Sequence, residues 1–392
     1  DAAEQLPASQ PEVGRIHKYI ALAYAAKIKL YQAYQQDETT HAVTSINKEL
    51  LREVVSLCDQ VTASNRYGLL DDFQGLDLVA NENGKESVFA IQYSMNDGTE
   101  SAGRINWSNL LNSPGGGSPY GGDGFFLPSQ DLINAYQTDA NGLPDFNYQS
   151  KSDYSWAVLN NGVYTLQNTT PNVDPRLDFV VGRPTITWKT YPDKPCEGWV
   201  RDKETYGYNC AKRFWVSPES SDMFNGWPWG ASQLNWQIIR YADILLWKAE
   251  ALIELNEGNG LETARDLINQ IRNRARNSAY VKDFNDHSKY AANYLVNPYP
   301  ADVWNQDYAR QALRWETRLE KALEGERFFD LVRWGIVETT MNKYITAESD
   351  NRIYYANAHF TGGKDEYYPV PNNQYGFSGG KYVQNPGYAP FN

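Results

Sequence analysis

Apolar positions return every three to four residues between 14 and 35, where Ile16, Ile20, Ala23 and then Leu30 or Tyr31 share a side; the spacing predicts a helix opened by Gly14. A second helix is predicted from about His41 to Val61, with Val43, Ile46, Leu50, Val54 and Leu57 on one face. Two amphipathic helices joined by a short polar connection predict an antiparallel pair. The helical period is lost after Tyr67. Glu86 to Tyr93 reads as a short strand, and Asn96 to Asp123 is a loop rich in Gly, Ser and Asn around Pro114-Gly-Gly-Gly117. Leu127 to Tyr136 reads as a short helix with Pro128 in its first turn, and Leu177 to Val181 and Thr185 to Trp188 as strands. Helix returns from Trp236 to Asn256 and from Leu261 to Asn277, with Glu257-Gly-Asn-Gly260 as stop and restart. From Tyr344 onward the chain reads as turns and short extended pieces. The pattern divides it into a helical pair (1–66), a loop- and aromatic-rich insert (67–236) and a C-terminal helical scaffold (237–392).

One stretch carries its charges at helical spacing: residues 316–335 run Glu-Thr-Arg-Leu-Glu-Lys-Ala-Leu-Glu-Gly-Glu-Arg-Phe-Phe-Asp-Leu-Val-Arg-Trp-Gly. On a helix Glu316, Glu320 and Glu324 stack along one face, while Leu319, Leu323, Phe328, Leu331 and Trp334 supply the apolar side. Three carboxylates in a column repel one another unless cations answer them. Arg318, Arg327 and Arg333 lie on the same segment, and Arg240 and the run Arg272, Arg274, Arg276 lie on earlier helices. The expected role is a structural ion-pair lattice, because a column on one helix does not set two carboxylates at different pKa values across a cleft.

The same stretch resembles the C-terminal signature of the SusD/RagB family of cell-surface glycan-binding proteins. Further matches follow in the family's order: Gly14-Arg15 opening a helix; Phe126-Leu-Pro-Ser-Gln-Asp-Leu132; Asp174-Pro-Arg-Leu177; Arg240-Tyr-Ala-Asp-Ile-Leu-Leu246 running into Ala249-Glu-Ala251; and Tyr367-Tyr-Pro-Val-Pro371 before Gln384-Asn-Pro-Gly-Tyr388. The resemblance covers about Gly14 to Tyr388. It implies a mostly α fold in which tetratricopeptide-like helical pairs form a scaffold, with a loop-rich insert and short β-strands packed on one side. It also implies a lipoprotein without catalytic role on the outer face of the outer membrane, delivering glycan to a SusC-like TonB-dependent transporter. Family members carry a long segment ahead of the Gly-Arg helix. The resemblance therefore places the signal peptide, lipid anchor and first helices outside this chain, and predicts that the opening helix pair exposes an apolar face.

The 392 residues, 41% hydrophobic, can bury a substantial core, and a formal charge of −12 argues against nucleic acid or an anionic membrane surface as main partner. No apolar run approaches the roughly 20 residues that span a bilayer. The four histidines, His17, His41, His287 and His359, fall in unrelated segments, and no metalloprotease, nucleophile-elbow or phosphate-loop motif is present. Nothing in these motifs points to an enzyme, a cofactor or a resident metal. Asp139-Ala-Asn-Gly-Leu-Pro-Asp145 invites a calcium reading, but it lacks the Glu that closes an EF-hand loop and reads as a turn. Cys196 and Cys210 bracket an irregular stretch, and spacing alone leaves open whether they pair.

The 28 tyrosines and 12 tryptophans together far outnumber the 14 phenylalanines, so the aromatic content favours rings with a polar tip. Sugar rings stack their C–H faces on such rings and offer hydroxyls to polar neighbours. Trp156, Tyr164, Trp188, Tyr191 and Trp199, flanking Asp174-Pro-Arg-Leu177, are the candidate ligand-binding residues. The alternative class is a helical-repeat scaffold that binds polypeptide and takes no glycan.

Overall fold

The computed structural model describes residues 2–100, 103–110, 112, 115, 117–161, 163–167, 171–189, 196, 198–227 and 229–391. After one turn, α1 (Ala2–Gln5), the helix α2 (Lys18–Ala33) runs into a hairpin of β1 (Tyr34–Gln36) and β2 (Val43–Ile46), and α3 (Lys48–Ala63) follows. The helix expected from His41 therefore starts only at Lys48. Val43 and Ile46 are β-branched and pair across the hairpin with Gln36 and Tyr34, while Asp37 Oδ1 turns the chain by accepting from the Thr39 and Thr40 N–H groups at 3.0 and 2.7 Å. Asn47 then caps α3, accepting from the N–H groups of Glu49 and Leu50.

The insert holds β3 (Ser87–Ile91), α4 (Gln130–Ala135), the hairpin of β4 (Ala157–Asn160) and β5 (Val163–Leu166), α5 (Arg176–Val180), β6 (Val181–Gly182), α6 (Lys203–Tyr206) and β7 (Cys210–Ala211). Leu177–Val181, expected as a strand, is mostly the short helix α5. Asp174 starts it by accepting from the Arg176 N–H at 3.0 Å, and Pro175 holds φ at −60°. Thr185–Trp188 forms no named strand: Thr185 sits at φ 67°, and Ile186 makes an isolated bridge to Asp283.

β8 (Trp236–Arg240) pairs antiparallel with β3, Ser87 opposite Arg240 and Ile91 opposite Trp236, so the helix predicted from Trp236 begins at Tyr241. The C-terminal elements are α7 (Tyr241–Leu255), α8 (Gly260–Asn277), α9 (Gln306–Glu320), α10 (Arg327–Arg333), α11 (Val337–Ser349) and α12 (Asn372–Phe377). α7 is apolar nearly all round and takes the centre, touching α3, α8 and α9. Asn256, left-handed at φ 52°, ends it.

The opening pair is better covered than expected. Ala23, Ala26 and Leu30 of α2 and Leu51, Val54 and Val61 of α3 are fully buried in one core with Ile244, Trp247, Leu331 and Trp334. On α2 the long apolar side chain left in solvent is Ile28, 53% exposed, so the face predicted to be bare is packed by α7 and the signature segment of the same chain.

The signature stretch is two helices. Leu323 at φ 67° and Gly325 at φ 87° break it, so Glu324 leaves the column begun by Glu316 and Glu320 and reaches its partners from a turn. The lattice itself is present. Glu316 meets Arg176 at 2.6 Å and Arg272 at 3.0 Å; Glu320 meets Arg240 at 3.0 Å, Arg176 at 3.3 Å and also Arg274; Glu324 meets Arg240 at 2.7 Å, Lys321 at 2.8 Å and Arg213 at 3.2 Å. Four of the expected cations are engaged elsewhere or unpaired: Arg318 binds Asp131, Arg333 binds Glu250 and Asp330, and Arg327 and the exposed Arg276 have no ion-pair partner among the described residues. A side chain on the column's own helix points away from it, so the neutralising charge has to come from facing segments.

Candidate functional site

The structure scatters the five candidate rings. Trp188 and Trp199, 1% and 4% exposed, meet edge-to-face at 4.9 Å in a core with Tyr120 and Trp215 and present no face to solvent. Their packing explains the burial: Gly182 has no side chain, and an added Cβ there would lie 2.3 Å from the Trp188 ring. Trp156 is half-buried, with the Arg183 guanidinium 4.6 Å from its centroid and its indole N–H donating to the Pro184 carbonyl at 3.2 Å. Tyr164 is half-buried against Tyr208, edge-to-face at 5.6 Å. Tyr191 lies outside the described residues.

Beside Tyr208 the insert and the C-terminal scaffold meet in a groove of about 230 Å³. Its rings are Phe125, Tyr206, Tyr344, Tyr354 and Tyr355, drawn from the loop before α4, the end of α6, α11 and the turn after it. Tyr206 faces Tyr354 at 6.4 Å, Tyr354 leans on Tyr355 at 4.7 Å, and the Tyr344 and Tyr355 hydroxyls are 3.0 Å apart. Phe125 is 68% and Tyr354 52% exposed, which leaves apolar ring surface for a ligand. The Arg201 guanidinium lies 5.4 Å from the Phe125 centroid and 5.9 Å from that of Tyr206. Gly207 at φ 79° brings the end of α6 onto Arg352; a Cβ there would collide with the guanidinium.

The groove's carboxylate is Glu348. Its Oε1 accepts from the Asp131 N–H at 2.5 Å, while Oε2 is buried without a hydrogen-bond partner among the described residues. Burial raises the pKa of this carboxyl, against the pull of that N–H. Arg201 and Arg352 make no ion pair with a described carboxylate. The groove thus offers ring faces, two guanidinia, an unpartnered acceptor and the Ser129 hydroxyl side by side. Among the described residues that line the groove, Glu348 is the one carboxylate.

A larger cavity, about 610 Å³, lies between α4, α9, α10 and α11. Leu132, Leu323, Leu331, Ile336 and Met341 give it aliphatic walls, and Phe146 and Tyr148 each pack edge-to-face on Trp315. Arg314 and Arg327 also line it, each with its guanidinium over Trp334 and neither with an ion-pair carboxylate among the described residues. Burial and then Arg318 pull the Arg327 pKa down to about 9, a sign of positive charge left without a close counter-ion.

Asp139 Oδ1 accepts from the N–H groups of Asn141 and Leu143 at 2.8 and 2.9 Å, so the stretch read for calcium is a side-chain-stabilised turn. No helix of the described residues is long and apolar enough to cross a membrane.

The model of the SusD family matches residues 85–388. The chain belongs to the SusD family. The match spans the groove, the lattice and the signature helices. Among curated proteins none matches. Solved structures share the fold: a SusD superfamily protein from Bacteroides vulgatus ATCC 8482 at 22% identity and TM-score 0.59, and surface glycan-binding protein A from Bacteroides fluxus at 19% and 0.63. A laminarin binding SusD-like protein aligns at 20% and 0.51. These alignments cover 95%, 98% and 98% of this chain, which spans 63%, 66% and 66% of those structures in turn. The mostly helical architecture with small sheets is that of the SusD family. Of the groove, Phe125 and Tyr206 lie in the insert expected to be loop- and aromatic-rich, and Tyr354 and Tyr355 in the stretch expected as turns and short extended pieces; the adjacent tyrosines after Arg352 are the available signal.

Proposed function

We propose that this chain is a non-catalytic glycan-binding protein of the cell surface. It captures an oligo- or polysaccharide in the aromatic groove and delivers it to a SusC-like TonB-dependent transporter of the outer membrane, held there by a lipid anchor. The observation that carries the reading is the exposed Phe125 and Tyr354 beside Tyr206, with Arg201, Arg352 and Glu348 within the same groove. Relatives of the same fold are a surface glycan-binding protein and a laminarin binding protein, which supports the ligand class. Trp188 and Trp199 stiffen the groove from within, through the core against which Leu127 and Tyr206 pack. Affinity gels cast with plant, algal and host polysaccharides, followed by calorimetry on the retained glycan, test the proposal. Phe125→Ala, Tyr206→Ala and Tyr354→Ala each weaken binding by about 1–2 kcal/mol, roughly tenfold. Binding that survives all three removes the groove from the proposal, and retention by no polysaccharide removes the function.

One observation favours the second reading, a scaffold for polypeptide: the larger cavity is aliphatic and holds two guanidinia without ion-pair carboxylates. A protein segment placing a carboxylate between apolar side chains matches it better than a sugar does. Under this reading the double variant Arg314→Gln, Arg327→Gln loses co-purification with the transporter and keeps any glycan affinity.

A further inference from the structure

The free thiols of Cys196 and Cys210 are both buried, and the structure brings them to one place. Cys210 opens β7 and is paired directly with Gly182 of β6. Directly opposed residues on antiparallel strands point to the same face, with Cβ atoms about 4.5–5.5 Å apart. A Cβ built on Gly182 would lie 3.5 Å from Cys196 Sγ. The Cys196 sulfur therefore borders the side-chain position of Gly182, beside the Trp188 ring that fills it, on the face to which Cys210 projects. The same Cys196 thiol donates to the Tyr208 carbonyl at 3.9 Å, two residues before Cys210. Burial, followed by the hydrogen bond to Cys196, raises the Cys210 thiol well above its usual pKa, which independently marks the two sulfurs as neighbours.

We infer that Cys196 and Cys210 form an intramolecular disulfide when the protein matures in an oxidising compartment, and that this bond clasps the segment carrying Arg201 and Tyr206 into the groove. A disulfide requires Cβ atoms about 3.5–4.5 Å apart, and both thiols lie against the same side of the β6–β7 pair. The oxidant is a donor disulfide, that of a thiol–disulfide oxidoreductase or of oxidised glutathione. One cysteine thiolate attacks it, forming a mixed disulfide and expelling one donor thiolate. The second cysteine thiolate attacks the sulfur of the first, closing the bond and expelling the other donor thiolate. Two electrons pass to the donor, which leaves as two thiols carrying the two cysteine protons. Folded, both sulfurs are walled off by Trp188, Trp199 and Trp215, so the exchange belongs to the folding chain and the finished bond resists reductant. Cys58, buried on α3 with its thiol pushed up to about 12 by burial, has no described cysteine beside it and remains reduced.

The site needs no glycan to be tested. The full chain is produced by export to a periplasm, denatured in iodoacetamide without reductant and weighed. The expected mass shows one alkylated cysteine, rising to three after reduction, with Cys196 and Cys210 peptides joined in the unreduced digest. Alkylation of all three without reductant overturns the inference. Stability gives a second readout. Reductant applied during unfolding lowers the melting temperature of the wild type by about 5 °C and leaves Cys196→Ser unmoved. An equal effect on both shows that the thiols only pack. The link to the groove rests on the glycan reading and is read separately: relative to wild type that the mass shows to be oxidised, Cys210→Ser should weaken glycan affinity several-fold. An unchanged affinity severs the clasp from the groove and leaves the bond in place.

Discussion

At the scale of single residues, Glu320 shows what holds the interior together. Burial would raise its carboxyl, but Arg274, Arg240 and Arg176 outweigh that and hold it below the usual carboxylate range. Glu320→Gln keeps the shape and leaves three guanidinia short of charge, and removing one member of a buried network costs about 3 kcal/mol. Urea unfolding should show this loss while groove affinity stays unchanged; affinity lost at constant stability would instead put Glu320 in the ligand site. Glu82 tests the opposite sign. Burial raises its pKa to about 7, offset in part by the Asn235 N–H donated to it. A carboxyl whose pKa is higher folded than unfolded adds stability that is full below the unfolded value, about 4.3, and lost as pH rises through 7. Between pH 7.5 and 5.5 the wild type therefore gains melting temperature, and Glu82→Gln should not; equal gains in both would assign the slope to another group.

At the scale of elements, the turn between α9 and α10 is where the long predicted helix gives way. Gly325 stands at φ 87° with open space around the Cβ position, so Gly325→Ala meets no clash and costs only backbone strain, about 1 kcal/mol. A larger loss in chemical denaturation would mean that the turn also packs. The elements legible in the sequence are those with their own period: α2, most of α3, α7 and α8 follow from spacing and, between α7 and α8, from the stop and restart at Glu257 to Gly260. β6, β7 and β8 were not legible, since two to five residues of strand depend on a partner distant in the chain. The same limit applies to the groove. Phe125, Tyr206 and Tyr354 lie in stretches without period and converge only through α6 and α11, whereas Trp188 and Trp199, equally aromatic in the sequence, are drawn into the core around Gly182. Aromatic content revealed a supply of rings, and burial divided it.

At the scale of the molecule, the lattice joins what the sequence pattern divides. Its charges come from Asp77 and Glu86, from Asp174, Arg176 and Arg213, and from Arg240, Arg272, Arg274, Glu316, Glu320 and Glu324, so insert and scaffold neutralise each other. Asp77, Asp174, Glu250, Glu320 and Glu324 are all held below their usual pKa by cations that outweigh burial. Stability from such groups is present above the unfolded value, near 4, and is lost as pH falls through the depressed ones; raised Asp243 and Asp330 oppose it. The melting temperature should hold to about pH 4 and fall steeply below, and a fall beginning near pH 6 would contradict the lattice as its cause. A further consequence concerns the covalent chain itself. Glu100 is exposed between β3 and α4, and a protease specific for glutamate can cut there. Because Glu86 on one side of the cut is bound to Arg240 and Arg274 on the other, the two pieces should comigrate in gel filtration as a single particle and part only when denaturant is added.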